Sequence, residues 1–180
     1  MKNNNLATAV FANGCFWCTE AVFGKIKGVV SVLPGYTGGT TKNPDYTDVS
    51  TGTTGHAEAI KIEYDPTVIS YKELLEVFFY THDPTTPNRQ GNDIGTQYRS
   101  AIFYKTVDEK NEAEKFIKEL TEAKSYSDPI VTEITPLDVF YEAENYHHDY
   151  YEHHKDQPYC KIVIAPKIEK IQHLFAKLLK

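Results

Sequence analysis

The chain has 180 residues, 41% of them hydrophobic and 13% aromatic, so it can bury a core and is too apolar for a disordered protein. Its formal net charge is -6 and its lysines and arginines are scattered, which argues against nucleic acid as a partner. No apolar run reaches the length of a membrane span or a signal-peptide core, so we expect a cytoplasmic protein without membrane attachment. We also expect one domain over residues 1–180 and a monomer.

The first half of the chain is predicted to alternate strands and helices around a long polar loop that ends at residue 55. Strands follow from short apolar or alternating runs, and a Ser70/Glu73 capping box marks the start of the second helix. The predicted elements are a strand over 6–12, a helix from Cys15 to about Gly28, strands over 29–39 and 56–64, and a helix from 71 to about 83.

The second half begins with another turn-rich loop and ends in an amphipathic helix. Thr106 and Glu109 predict a second capping box. The predicted elements are a strand over 98–105, a helix from 106 to about 124, a strand over 130–137, a helix over 140–154, a short extended segment over 161–166 and a helix over 167–180. Strands and helices mix without a regular βαβ repeat, which favours the α+β class.

The segment GCFWC at residues 14–18 places two cysteines around the only tryptophan. It fits a thioredoxin-like redox pair, half of a zinc site, or one nucleophilic cysteine beside an apolar pocket; a buried structural Cys15 is the plainest alternative. Cys15 stands where a strand meets a helix, and a helix N-terminus lowers a thiol pKa. The large side chains of Phe16 and Trp17 favour the apolar pocket.

Glu58 is the second candidate for chemistry. Strand alternation puts it on the same face as Ile60 and Ile62, where desolvation would raise its pKa and make it a proton donor near neutral pH. A glutamate near a strand end can equally reach solvent. Tyr46, Asp93 and Tyr98 lie in or beside the polar loops and are weaker signals, because most of the 13 tyrosines must be packing residues.

Five motifs together resemble the A-type peptide methionine sulfoxide reductases. They occur in the family's order over about residues 6–160: GCFWCTE at 14–20, GYTGG at 35–39, TGHAEA at 54–59, GNDIGTQYRS at 91–100 and FYEAENYHHDYY at 140–151. The resemblance implies an α+β, two-layer fold with a ferredoxin-like plait and a mixed sheet flanked by helices. It also implies reduction of the S epimer of methionine sulfoxide, free or in proteins, as a repair reaction.

The resemblance assigns roles to individual residues. Cys15 becomes the nucleophile and Glu58 the acid, Phe16 and Trp17 the pocket for the substrate methyl group, and Tyr46 and Tyr98 the donors to the sulfoxide oxygen. Asp93 helps to order the site. Thioredoxin, or dithiothreitol in vitro, is the expected reductant, with no metal or other cofactor.

The thiol that resolves the Cys15 sulfenic acid is left open by the motifs. Cys160 lies in a Pro-containing segment similar to the place where the family often keeps a resolving cysteine, and we favour it. Cys18, one helical turn from Cys15, is the alternative. A zinc site that combines the CxxC pair with the histidines of residues 147–154 is a further alternative for these cysteines.

Overall fold

The computed structural model describes residues 5–180, and eight strands lie within that range. Six of them form one mixed sheet and two form a separate hairpin. The strands are β1 (Ala7–Asn13), β2 (Val29–Thr37), β3 (Ala57–Tyr64), β4 (Arg89–Gln90), β5 (Asp93–Ile94), β6 (Ser100–Tyr104), β7 (Glu133–Pro136) and β8 (Tyr141–Glu142). The sheet order is β7-β6-β1-β3-β2-β8, and β4 pairs with β5.

Six α-helices accompany these strands in the described part of the chain. They are α1 (Phe16–Phe23), α2 (Tyr46–Ser50), α3 (Tyr71–Tyr80), α4 (Val107–Glu122), α5 (Tyr150–His153) and α6 (Ala165–Leu174). Short 3₁₀ turns cover Thr96–Tyr98, Asn145–His147 and Ala176–Leu178, and a π-helical segment over Cys160–Ile164 leads directly into α6.

The centre of the sheet is a ferredoxin-like plait, as the resemblance implied. Along the chain the order β1-α1-β2-β3-α3-β6 repeats a βαβ unit, and in space the four strands run β6-β1-β3-β2. β1 pairs antiparallel with both β3 and β6, while β7 adds parallel to β6 at one edge. The α+β class and the mixed, helix-flanked sheet are therefore confirmed.

Aromatic side chains join the sheet to its helices. Phe11 of β1 and Phe78 of α3 are both fully buried, with ring centroids 5.0 Å apart. The Ser70 hydroxyl caps α3 by accepting the Glu73 amide hydrogen, and the Glu73 carboxylate accepts from the Ser70 amide, so the predicted capping box is confirmed. α3 thus begins where its sequence predicts and presents its apolar face to β1.

Several predicted boundaries are wrong. The first helix ends at Phe23 instead of near Gly28, and the loop before residue 55 contains the short helix α2. The strand predicted from residue 98 starts at Ser100, because Tyr98 belongs to a 3₁₀ turn. At the second predicted capping box, the Glu109 carboxylate accepts from the amide of Lys105 and not from that of Thr106.

Two predicted element types are wrong as well. The sequence predicts a helix over residues 140–154, but Tyr141–Glu142 pair with β2 as β8, a 3₁₀ turn follows, and the left-handed backbone of Asp149 (φ 52°) separates that turn from the four-residue α5. Residues 161–166 were expected to be extended but are helical. Cys160, Ile164 and Ile168, in this segment and on either side of it, are buried on one helical face. Their packing overrides the β-propensity of the segment.

Truncation of Phe78 tests the contact between sheet and helix. Phe78→Ala should lower the free energy of unfolding by about 3–5 kcal/mol, because it leaves a cavity against Phe11. Urea denaturation gives this value. The matched control is Val107→Ala, an apolar truncation at a side chain 68% exposed, which should change it by less than about 0.5 kcal/mol. Equal effects of the two variants would contradict this description of the core.

Candidate active site

Cys15 lies at the junction between β1 and α1, as predicted. Gly14 before it has φ of 106°, and a side chain at Gly14 would collide with Gln90 on the β4–β5 hairpin. Cys15 is the N-cap residue of α1, but its thiol makes no capping hydrogen bond to the helix. The residue is only 8% exposed. The thiol therefore stands at the helix terminus in an almost dry environment.

Glu58 of β3 supplies the cap that Cys15 does not. The amide of Phe16, the first residue of α1, donates a hydrogen bond of 3.0 Å to Glu58 Oε2. Glu58 is 2% exposed, and burial raises its pKa to about 8 against the opposing effect of the Phe16 amide; the charges of Asp93 and Cys18 raise it further. The expected burial and raised pKa are confirmed, so Glu58 is mostly protonated at neutral pH.

The pKa values of the two thiols of the CxxC pair are shifted in opposite directions. Burial raises the pKa of Cys15 well above its usual value, and the hydrogen bond with Cys18 and the charge of Glu58 add to this. A hydrogen bond from Cys15 lowers the pKa of Cys18 to about 7, against the effect of burial. The expectation that the helix terminus lowers the pKa of Cys15 is wrong, because desolvation by burial dominates.

Aromatic rings surround the Cys15 end of α1. Phe16 is fully buried, and its ring lies 4.9 Å from His147 and 6.4 Å from Tyr46, centroid to centroid. Trp17 is half-buried and stacks on Tyr150 at 3.7 Å with an interplanar angle of 5°. Its indole nitrogen donates to His147 Nδ1 at 2.9 Å, which leaves the His147 proton on Nε2. The rings of Phe16 and Trp17 thus form a fixed apolar wall.

Tyr46 begins α2 and Tyr98 ends the 3₁₀ turn Thr96–Tyr98, and the charge of Glu58 acts on both phenols. Both are half-buried. Burial raises the pKa of Tyr46 to about 12, with a further increase from the charges of Glu58 and Cys15. The pKa of Tyr98 is raised by burial and by the charges of Glu58 and Tyr46. Both phenols therefore keep their protons at neutral pH and remain hydrogen-bond donors.

Asp93 lies on β5 and connects the hairpin to the cysteines. Its carboxylate accepts a hydrogen bond of 2.8 Å from the Tyr159 hydroxyl. That hydroxyl is 3.7 Å from Cys18 Sγ. Asp93 is therefore joined to the thiol pair through Tyr159, a residue that the sequence analysis did not select.

All three cysteines belong to one buried apolar cluster with Ile164 and Ile168. All three are free thiols. Cys160 is fully buried, and burial raises its pKa, with a contribution from the charge of Cys18. Cys160 is far from the CxxC pair in sequence, but the packing of α6 and its preceding turn on α1 thus brings it into the same cluster.

The histidine tract does not join the cysteines in a metal site. In the part of the chain that the structure describes, no three side chains of His, Cys, Asp or Glu converge closely enough to hold a metal ion. His147 instead accepts from Trp17, and His154 stacks on Tyr150. The combined zinc site considered from the sequence is not formed.

Comparisons with known proteins agree with this geometry. A family model described as peptide methionine sulfoxide reductase matches residues 7–178. The chain belongs to the peptide methionine sulfoxide reductase family. The peptide methionine sulfoxide reductase MsrA of Saccharolobus solfataricus is 54% identical over 175 residues, which cover 97% of this chain and 98% of that protein.

Solved structures support the same assignment of this reductase. The reduced form of Mxr1 from Saccharomyces cerevisiae is 35% identical and has a TM-score of 0.79, covering 86% of this chain and 89% of that one. A structure of Mxr1 in complex with Trx2 is 25% identical with a TM-score of 0.57, covering 83% of this chain and 87% of that one. Within residues 5–180 of the reductase, none of the helices is long and apolar enough to cross a bilayer.

The reductase site also contains residues that the sequence analysis missed. The Glu144 carboxylate accepts hydrogen bonds from the Tyr36 hydroxyl at 2.9 Å and the Tyr46 amide at 3.1 Å, and so fixes the start of α2. His147 and Tyr150 hold the Trp17 ring. These residues lie in the FYEAENYHHDYY motif, and their grouping in that motif was the only sign in the sequence that they belong to the site. Their partners are more than 90 residues away, so sequence spacing could not reveal the contacts.

Replacement of Glu58 should alter the pH dependence of stability. Its pKa is about 8 when folded and 4.5 ordinarily, so between these values the folded state binds a proton that the unfolded state does not. Wild-type stability therefore falls relative to Glu58→Gln as pH rises from 5 to 8, by roughly 1.4 kcal/mol per pH unit at the steepest. Urea titrations across this pH range measure the difference.

The control for this prediction is Glu63→Gln. Glu63 is on the other face of β3 and half-buried, and its carboxylate accepts from the Ser31 hydroxyl. A difference between wild type and Glu58→Gln that stays constant from pH 5 to 8 would contradict the raised pKa.

Proposed function

We propose that this reductase converts the S epimer of methionine sulfoxide to methionine, in peptides and proteins and as the free amino acid, with thioredoxin as the reductant. The observation that carries the proposal is the buried, mostly protonated Glu58 carboxyl, held beside Cys15 by the Phe16 amide. The family assignment and the Mxr1–Trx2 complex support the reaction and the reductant. We take the matched residues, 7–178, to work as one domain in the repair of oxidised proteins.

The aromatic and polar side chains around Cys15 each have a role in the proposed reaction. Phe16 and Trp17 contact the methyl group of the substrate, which turns the sulfoxide sulfur toward the Cys15 thiol. The hydroxyls of Tyr46 and Tyr98 donate to the sulfoxide oxygen, since both remain protonated. Asp93 orders the site through its bond to the Tyr159 hydroxyl.

The chemical step moves oxygen from the substrate to Cys15. Glu58 gives its proton to the sulfoxide oxygen, and the resulting carboxylate takes the proton of the Cys15 thiol, so that Cys15 attacks the sulfoxide sulfur as a thiolate in spite of its raised pKa. The hydroxyl then moves from the substrate sulfur to the Cys15 sulfur, and both the S–O bond of the substrate and the newly formed S–S bond break. Methionine leaves and Cys15 becomes a sulfenic acid, so that the substrate sulfur is reduced by two electrons and Cys15 is oxidised by two. A raised Glu58 pKa serves this step because the acid must hold its proton near neutral pH.

Two thiols then act in sequence to restore Cys15. The interaction with Cys15 lowers the pKa of Cys18 to about 7, so its thiolate attacks the sulfenic sulfur, and the hydroxyl leaves as water with a proton from Glu58. Cys160 next attacks Cys18, which frees Cys15 and forms a Cys18–Cys160 disulfide for thioredoxin to reduce. Cys160, favoured from the sequence as the resolving residue, thus keeps a role as the second thiol.

An epimer-resolved assay with dithiothreitol tests the reaction. The wild type should reduce only the S epimer, and Glu58→Gln should lower kcat by about 10²–10⁴-fold with a much smaller change in KM, because general acid catalysis is lost while the wall of the pocket stays. Cys15→Ser should abolish turnover.

The matched control is Glu63→Gln, which removes a carboxylate from the same strand and should leave kcat unchanged. A Glu58→Gln variant that loses affinity but retains kcat would remove Glu58 from the acid role. Turnover by Cys15→Ser would overturn the assignment of the nucleophile.

Mass mapping of disulfides after one turnover without reductant tests the thiol sequence. With one equivalent of substrate, the wild type should contain a Cys18–Cys160 disulfide and Cys160→Ser a Cys15–Cys18 disulfide. With excess substrate the wild type, whose Cys15 is freed, should form a second methionine and Cys160→Ser only one. Cys160→Ser with an unpaired Cys18 and a sulfenic acid on Cys15 would show that Cys18 does not attack first.

A further inference from the structure

Glu20 is a buried carboxyl in α1 that the proposed reaction does not use. It is 7% exposed, and its Oε1 accepts a hydrogen bond of 2.9 Å from the amide of Asp149. Burial raises the pKa of Glu20 to about 7, against hydrogen bonds from the amides of Asp149 and Tyr150. Because desolvation of a carboxyl is unfavourable, its position needs an explanation beyond packing.

The segment that Glu20 contacts is held in an unfavourable backbone conformation. Asp149 has φ of 52° and ψ of 33°, the left-handed region, and precedes the four-residue helix α5 without a side-chain cap. A helix this short has little stability of its own. The hydrogen bond to Glu20 fixes the Asp149 amide and so determines where α5 begins.

Two residues close to Asp149 in the chain, His147 and Tyr150, hold the ring of Trp17. His147 accepts from the indole nitrogen, and Tyr150 stacks on the indole ring. Glu20 and Trp17 are on the same helix, three residues apart, so α1 contacts this segment at two adjacent points. If the Asp149 amide shifted, both partners of the Trp17 ring would shift with it.

We propose that Glu20 is a positioning residue, which fixes the segment His147–Tyr150 and thereby the Trp17 wall of the substrate pocket. The part of this inference that concerns substrate rests on the proposed function. A further link, the ion pair of Lys25, just beyond α1, with Glu152 of α5 at 3.5 Å, is half-exposed on both sides and contributes little. Glu20 is thus the residue of α1 that bonds to the backbone at the start of α5.

Two conservative variants distinguish the effect of the length of the Glu20 side chain from the effect of its charge. Glu20→Asp keeps the charge but is one methylene too short for the Asp149 amide, whereas Glu20→Gln keeps the reach and an acceptor oxygen. Trp17 is the only tryptophan, so its fluorescence emission reports on this wall directly. Glu152→Gln is the control, because it removes a neighbouring carboxylate that does not bond to Asp149.

Glu20→Asp should shift the Trp17 emission and raise KM for a methionine sulfoxide peptide by about tenfold, as expected for one lost hydrogen bond, with a smaller change in kcat. Glu20→Gln and Glu152→Gln should resemble the wild type in both measurements. Wild-type emission and KM in Glu20→Asp would overturn the proposal, and so would a Glu20→Gln variant as impaired as Glu20→Asp. Emission is measured without turnover, so failure of the proposed reaction would be recognised separately.

Discussion

The hydrogen bond from the Phe16 amide to Glu58 is the constraint on which the rest of the site depends. Cys15 leaves the first amide of α1 without a side-chain cap, and a carboxyl from β3 takes that place. One contact therefore joins helix to sheet and sets the acid beside the thiol, while burial keeps the acid protonated against the opposing effect of this hydrogen bond on its pKa. Charge on Glu58 would suit the helix dipole, yet desolvation dominates and favours the neutral form.

A second layer of contacts surrounds this pair and originates mainly in residues 140–160. Glu144 fixes the start of α2 and so the backbone of Tyr46, His147 and Tyr150 hold the Trp17 ring, and Tyr159 links Asp93 to Cys18. This stretch has little regular structure of its own. It is ordered by polar and aromatic contacts to α1, α2 and the β4–β5 hairpin, and in return it orders the side chains that surround Cys15.

The sequence predicted the main strands, the main helices and the position of Cys15 between β1 and α1, because these follow from local periodicity and capping. The side of β3 on which Glu58 lies followed from simple alternation with Ile60 and Ile62. What could not be predicted depends on contacts distant in sequence. The left-handed Asp149 bonds to Glu20 of α1, the helical residues 160–164 pack on the cysteines, and the raised pKa of Cys15 results from burial, none of which a local pattern encodes.

The central place of β1 in the sheet has a consequence for how three thiols can exchange partners. β1 is bonded along one side to β3 and along the other to β6, up to Asn13 and its partner Ser100. β1 is therefore held on both edges, and the first turn of α1, which contains Cys18, is bonded to the same sheet through Phe16 and Glu58. Sulfur atoms must approach to about 2.05 Å to form a disulfide. In the proposed thiol sequence, the movement that brings Cys18 and Cys160 to this distance therefore falls mainly on the helical segment Cys160–Ile164.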